Sequence, residues 1–440
     1  MMLDSIWTKD VSLSGFPSLE GDTKTDILII GGGMAGLLTA HALSQIGANY
    51  LLVEADSICG GVTRNTTAKI SSQHGPVYQK LLKEFDLGTA SLYWQANEDA
   101  ISQYRHLCKE IPCDFEERSS YLYSVNDPAI LAQESAALDR LNIPHQDTRT
   151  VSLPFPVAGA IRFRRQAQFH PLKFASHIAK GLNIREHTRA LAYEDGAVIT
   201  NRGRIVAQQI VVTTHFPIFN KHGGYFLKMY QERSYVLGLQ NAPRLDGMYR
   251  DAAEDGLSFR NYGDYLLLGG GSHRTGKAAQ GWIPLEAAAH QYYPDAIPAL
   301  RWATQDCMTL DGMPYIGQYG KQTPNLYVAT GFNKWGMTGS MTAAIVLRDL
   351  LQGKEDPYAG IFSPARQILR KQLLVNGFHT VGNFLTPTKP RCPHLGCALK
   401  WNPHEHSWDC PCHGSRFSKD GKLLDNPATG DLENNDDRSC

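Results

Sequence analysis

Four residues near the C-terminus could hold a metal centre. Cys392 and His394 stand as Cys-x-His, and Cys410 and His413 as Cys-x-x-His. Two thiolates and two neutral imidazoles suit a [2Fe–2S] cluster, with the sulfurs on one iron and the nitrogens on the other. Ligation of that kind raises the potential to about −150 to +300 mV. Zinc is the alternative, although zinc ribbons pair their ligands as Cys-x-x-Cys. A second constellation lies far upstream. Gly31, Gly33 and Gly36 are spaced G-x-G-x-x-G, and Glu54 ends the next apolar run. Such glycines permit a tight turn, let backbone approach a pyrophosphate, and let helix and strand pack closely. The acid accepts hydrogen bonds from a ribose and disfavours a 2′-phosphate.

The elements that must position these residues can be read around them. An apolar run at 27–30 leads into the glycines. A helical pattern through Leu37, Leu38, Ala42, Leu43 and Ile46 follows and stops at Gly47. A second apolar run, 50–53, ends on Glu54. This is strand, glycine turn, helix, strand and acid, with the helix N-terminus pointing free N–H groups at phosphates. The loop 59–70 mixes paired glycines with hydroxyl and amide side chains, which suits a cofactor that continues past its pyrophosphate. A strand expected over 205–214 ends in small hydroxyl residues, Thr214 among them, and delivers backbone to the adenosine end of a cofactor. Segment 309–353 repeats the pattern with a strand at 325–330, Gly331, and a helix over 337–351. That helix N-terminus can face an anion such as the N1–C2=O edge of a reduced flavin. Strands and turns from 225 to 276 form a candidate substrate domain, whose polar residues of interest are Arg260, His273 and Arg274.

Composition narrows the classes. Formal net charge is zero with no basic run, so nothing suggests nucleic acid or an acidic membrane surface. No apolar stretch is long and uninterrupted enough to span a bilayer. The opening MMLDSIWTKD lacks a basic n-region and an apolar h-region, so the expected compartment is the cytoplasm. Four of the nine cysteines lie between Cys392 and Cys412, which points to a metal or redox site rather than a secreted disulfide framework.

The pieces GGGMAG with Glu54, GGVTRNTTAKI, VVTTHFP and TLDGMPYIG…NLYVATGFNKWGMT resemble the FAD-dependent oxidoreductases of the D-amino-acid oxidase and glycine oxidase type, across roughly residues 24–353. The resemblance implies an α/β (α+β) fold. A Rossmann-like FAD domain (26–85, 155–220 and 300–353) would carry an inserted antiparallel-sheet substrate domain (86–154 and 221–299). Gly31, Gly33, Met34, Ala35, Gly36 and Glu54 would bind the ADP half. Thr63, Ala68, Lys69 and Ile70 would run along the flavin, and Ala190 would contact adenine through backbone. Gly331, Gly336, Met337 and Thr338 would meet the ribityl chain and the pyrimidine edge. Lys69 falls where relatives carry a basic residue over the flavin face. With Arg260 and His273 it makes up the candidate catalytic residues.

CPHLGC and CPCHGSRF, with the later Gly421 and Asn426-Pro427-Ala428, resemble the Rieske proteins. By that resemblance Cys392, His394, Cys410 and His413 ligate iron, and Ser415 hydrogen-bonds a bridging sulfide. A disulfide between Cys397 and Cys412 would clamp the two ligand loops. Phe417 replaces a tyrosine of the high-potential members, which implies a lower potential. The remaining layout is a surface arm over 1–25, a linker over 354–387, a cluster-binding subdomain over 388–430 that the flavin domain has to support, and a disordered tail over 431–440. The function implied is transfer of two electrons from a small-molecule reductant, an amine or amino acid, to FAD. The electrons would then pass singly through the cluster to an electron-transfer protein or other acceptor. A redox relay or sensor without turnover, and a reductase fed by NAD(P)H, are the other classes. The reductase would need a second G-x-G-x-x-G, which the chain lacks.

Overall fold

The computed structural model describes residues 2–13, 15–219, 222–366 and 390–432. Most of the expected linker (367–389) and of the expected tail (433–440) lies outside the described residues.

Alternate residues of the strand Thr23–Ile30 feed two different cores. Ile27 and Ile29 pack on the helix side, while Leu28 and Ile30 pack on the opposite side. A strand buried on both faces belongs inside a parallel sheet. It pairs in parallel with Arg204–Val212 on one side and Tyr50–Val53 on the other. The sheet continues outward to Leu326–Thr330 and Tyr315–Gln318 at one edge and to Ile184–Arg185 at the other. Helices Met34–Gln45 and Gly336–Leu351 pack against each other over one face. The parallel strands end together, so Gly31, Glu54, Thr213 and Gly331 arrive at one edge, where open α/β sheets bind ligands.

A second sheet has ten strands. Along its main path it runs Met2–Leu3, Ile297–Thr309, Met229–Gln240, Tyr265–Arg274, Ser258–Tyr262, Gly247–Asp251, Glu116–Ser124, Gly159–Gln168 and Lys69–Ile70. Three of these strands correct the expected domain layout. Lys69–Ile70, Gly159–Gln168 and most of Ile297–Thr309 fall within stretches assigned to the FAD domain, yet they pair within the ten-stranded sheet. Their apolar patterns are equally good for either sheet, and only the long-range pairing decides. Gly247–Asp251 runs parallel to Glu116–Ser124, and the rings of Tyr121 and Tyr249 stack at 4.6 Å across that pairing.

The N-terminal residues are not a surface arm. Ser5 caps a single 3-10 turn, Ile6–Thr8, that buries Trp7 completely. The indole Nε1 donates to the Thr66 carbonyl at 2.7 Å, and the ring meets Tyr262 and His170 edge-on at 4.7 and 5.0 Å. A large aromatic outweighs the polar residues around it once a matching pocket exists. Residues 390–432 form a separate four-stranded antiparallel sheet, with Lys400–Asn402, Ser407–Asp409, Arg416–Ser418 and Leu423–Asp425 in order. Asp431 and Leu432, expected in the tail, belong to this unit. Asp431 pairs with Lys422 at 2.8 Å, and Leu432 packs on the small core. Among the described residues no helix is long and apolar enough to cross a membrane. Replacing Trp7 by Ala should lower stability by about 3–5 kcal/mol, the usual cost of emptying an aromatic site, and should lower the thermal melting midpoint of the chain.

Candidate functional site

Close backbone packing makes the first half of the site. Gly31 has φ +109°, and a Cβ on Gly36 would lie 1.9 Å from the Gly31 carbonyl oxygen. Helix and turn therefore touch in a way that only glycine permits. Gly36 does this packing and does not line the cavity that opens beside it. That cavity holds about 590 Å³ and is walled by Gly31, Gly33, Met34 and Ala35. Neither helix that opens on it has a side-chain cap: Gly33 precedes Met34–Gln45, and Trp335 precedes Gly336–Leu351. Apart from Met34 N, which Thr63 takes, their first-turn N–H groups have no side-chain cap, and a helix N-terminus favours an anion. Glu54 is held by two backbone donors, Gly32 N at 2.6 Å and Asp56 N at 3.0 Å, and burial raises its carboxyl pKa. Thr63 Oγ1 accepts from Met34 N at 3.1 Å.

Thr63, Lys69, Ala190, Thr214, Gly336 and Met337 also face the cavity. Four other expected contacts do not. Ala68 (φ +52°) turns its carbonyl to Arg260, and Ile70 is core. Gly331 (φ +70°) makes the turn, where a Cβ would strike Thr309. Thr338 is fully buried, with its hydroxyl between Ser71 O and His74 Nε2.

Of the candidate catalytic residues, one reaches the cavity. Burial pushes the Lys69 ammonium down to about 7, helped by the charges of Arg250 and Arg260. Arg260 is structural. It is buried, and its Nη1 donates to the carbonyls of Thr67 and Ala68 at 2.7 and 2.9 Å. His273 lies behind the wall, with Nδ1 at 3.1 Å from Gly271 O and its ring stacked on Tyr235 at 5.8 Å. The cavity also presents residues that no motif marks. Arg250 lines it with a buried Nε that has no hydrogen-bond partner among the described residues. Asp306 lines it nearby, its carboxyl pushed up to about 6 by burial. His215 lines it from a left-handed conformation (φ +65°), and its buried Nε2 is likewise unpartnered among the described residues. Arg250 was invisible because its role depends on which face of Gly247–Asp251 meets the cavity. The signal at His215 was its place at the end of a nucleotide-fold strand.

The second half of the site consists of two similar loops. Gly396 N donates to Cys392 O at 2.8 Å, and Gly414 N donates to Cys410 O at 2.9 Å. The loops are joined by a disulfide between Cys397 and Cys412. The sulfurs of Cys397, Cys410 and Cys412 lie within 4.8 Å of one another, and the disulfide consumes two of them. Cys410 then pairs with Cys392, whose thiol is held down to about 7, chiefly by its hydrogen bond with Cys410. The imidazoles of His394 and His413 stand 5.0 Å apart at 81°. Burial pushes both down, to about 4 and about 3, so both are neutral as metal ligation requires. His413 Nε2 is bonded to the Phe226 carbonyl at 3.1 Å, while its buried Nδ1 has no hydrogen-bond partner among the described residues. That orphaned nitrogen could take a metal. Two thiols and two imidazoles are a donor set used both by a two-iron cluster and by a tetrahedral zinc.

The family model for FAD dependent oxidoreductases matches residues 26–350. The chain belongs to that family. A Rieske [2Fe-2S] domain model matches residues 366–435. The chain is thus an FAD oxidoreductase that carries a [2Fe–2S] cluster domain, and FAD and the cluster are its cofactors. It is 33% identical to the Rieske 2Fe-2S iron-sulfur protein YhfW of Bacillus subtilis over 98% of this chain and 97% of that one. In fold it is similar to glycine oxidase from Geobacillus kaustophilus (TM-score 0.66, 19% identity, 79% of this chain and 100% of that one). It is also similar to an L-amino acid deaminase from Proteus vulgaris (TM-score 0.64, 19% identity, 81% and 97%). Because a methyl at Gly36 has to displace the Gly31 carbonyl, Gly36→Ala should cut bound FAD about tenfold or more, a loss of about 1.4 kcal/mol in affinity. The flavin-to-protein ratio after purification measures it.

Proposed function

We propose that the chain is a dehydrogenase that takes two electrons from a small amine or amino acid and sends them singly, through the Rieske cluster, to a redox partner. The observation that carries this reading is a shared wall. Leu424, Asp425, Asn426, Ala428 and Thr429 of the cluster domain line the same cavity as the glycine turn. A cluster domain used only for an unrelated task would not need to close the flavin cavity. FAD, when bound, supplies hydride acceptance, and the cluster supplies one-electron transfer.

The chain's own residues have separable roles in this reading. Arg250 offers an unsatisfied Nε on a guanidinium, the group whose fork can hold a substrate carboxylate through charge-assisted hydrogen bonds. Lys69 Nζ, 3.4 Å from Tyr249 O, holds or releases a proton near neutrality. Asp306, beside the Lys334–Glu232 pair at 2.8 Å, adds a second group that titrates below neutrality. Phe216 is fully buried and meets the rings of His394 and His413 at 6.4 and 6.2 Å, while its neighbour His215 faces the cavity. This pair spans the gap between the two centres. The named substrates of the two fold neighbours, glycine and L-amino acids, support the substrate class.

The test is anaerobic. An amino-acid panel, NADH and NADPH are added to separate samples while the visible spectrum and the low-temperature EPR are followed. An amino acid should bleach the flavin, and a Rieske signal should then grow. Reduction by dithionite alone would overturn the reading. Arg250→Met should raise KM for the active donor about tenfold or more through the lost charge-assisted bonds, with flavin content unchanged. Lys69 gives a pH signature. Its cation is present below about pH 7 and stabilises an anionic reduced flavin. Lys69→Met should therefore lower the flavin midpoint potential by about 30 mV at about pH 6 and leave it unchanged at about pH 9, since about 30 mV corresponds to 1.4 kcal/mol for a two-electron couple. Spectroelectrochemical titration at the two pH values measures it.

A further inference from the structure

The cluster domain reaches the cavity through one segment, and Asn426 seats it. The Asn426 Nδ2 donates to the carbonyls of Thr214 and Phe216, the latter at 2.9 Å. Both carbonyls lie just beyond the strand Arg204–Val212, where Thr214 itself faces the cavity. The same segment is bound to the second ligand loop. Ala428 N donates to Ser415 Oγ at 3.0 Å, and Cys410 N donates to Ser415 O at 2.8 Å. Gln231 of the flavin side grips both pieces. Its Nε2 donates to His413 O at 2.7 Å and to Asn426 O at 3.0 Å. Gln305 Nε2 donates to Gln231 Oε1 at 2.7 Å and to Gly414 O at 2.8 Å, which fixes the orientation of the grip. Gly414 (φ +86°) lies so close that a Cβ there would be 2.6 Å from Gln231 Cβ.

Every link in this chain is buried or partly buried and directional. The ligand loop cannot relax without moving either Gln231 or Ser415, and both hold the segment that walls the cavity. The loop in turn is shaped by what its Cys410 and His413 bind, because metal binding orders the residues that supply the ligands. Two sites that bias one shared element are coupled, and the coupling acts equally in both directions on binding free energies.

We infer that the FAD site is assembled from both domains, with Asn426 and Gln231 as positioning residues that make cluster binding and FAD binding mutually dependent. A chain that has lost its cluster holds FAD weakly, so a flavin without an outlet for its electrons is disfavoured. The inference concerns cofactor affinity alone and stands whether or not an amino acid is the electron donor.

The experiment titrates full-length deflavinated protein with FAD and follows quenching of flavin fluorescence. It is done with the cluster present, verified by EPR, and again after the iron is removed by chelation. Asn426→Ala is measured both ways, with EPR confirming that the variant retains its cluster before chelation. Cluster removal should raise the FAD dissociation constant of the parent chain about tenfold, within the usual range of coupling between sites. Asn426→Ala should raise it by a similar factor with the cluster still bound. Cluster removal from the variant should then add less than about twofold, because contacting links do not act additively. A parent constant unchanged within about twofold by cluster removal, or a cluster-bearing Asn426→Ala that binds FAD like the parent, overturns the inference.

Discussion

Glu405 lies between two guanidiniums. Arg233 reaches it from the ten-stranded sheet, with Nε at 3.1 Å from Oε1, and Arg416 reaches it from the cluster domain at 2.9 Å. Burial alone would raise the Glu405 carboxyl, yet the two cations overcome it and hold the group down at about 2. Arg416 continues the network to Asp409 and Asp425, each at 3.0 Å. The cluster domain depends on this contact because it has little else. Its core consists of Cys392, Cys397, Leu399, Cys410, Cys412, Phe417 and Ala428, more than half of them cysteines. Domains of such size need a metal, a disulfide or a partner surface to stay folded. This one has the disulfide and the cluster ligands, and it takes its third support from the flavin side. Removing one partner of a buried ion pair typically costs about 3–5 kcal/mol, because the other charge stays buried and unpaired. The network therefore specifies where the domain sits as much as it stabilises it.

Placement matters because the same contact shapes the cavity. Asp425 belongs to both the charge network and the cavity wall, and its neighbour Asn426 is hydrogen-bonded to the end of a nucleotide-fold strand. Glycines on both sides let the surfaces approach. A Cβ on Gly276 would strike Pro411, and one on Gly281 would strike His404. A support built for a small domain thus doubles as the closure of a cofactor site. A separate linker-tethered cluster domain would leave the flavin cavity open at this side.

What could be read from sequence follows how local each feature is. The glycine turn, Glu54 and the proposed cluster ligands lie within a few positions of their motif neighbours, so spacing alone could point to their chemistry. The helix at 336–351 was legible for the same reason. Trp7 was misread because its burial depends on Thr66, His170 and Tyr262, all far along the chain. Arg250 and Arg260 show the limit most clearly. They sit on adjacent strands of one sheet, both long, basic and flanked by aromatics. One faces the cavity with an open donor, and the other satisfies backbone carbonyls beneath Trp7. Only the pairing of Gly247–Asp251 with Glu116–Ser124 and Ser258–Tyr262 separates the two roles.

The cluster has an inner and an outer side. His413 is almost wholly buried, its Nε2 tied to Phe226 O and its carbonyl to Gln231. His394 is only half-buried, between exposed Pro393 and Leu395. If the two imidazoles hold the same iron, as the Rieske resemblance implies, they would connect the cluster to two different surroundings. On the proposed reading electrons arrive from the cavity side, where Phe216 meets both imidazoles. They leave by the His394 side, the one a partner can reach. A buried Nε2 also holds its proton against a fixed carbonyl. On that reading the two residues differ in exposure, half-buried His394 toward the exit of the path and buried His413 toward its entrance.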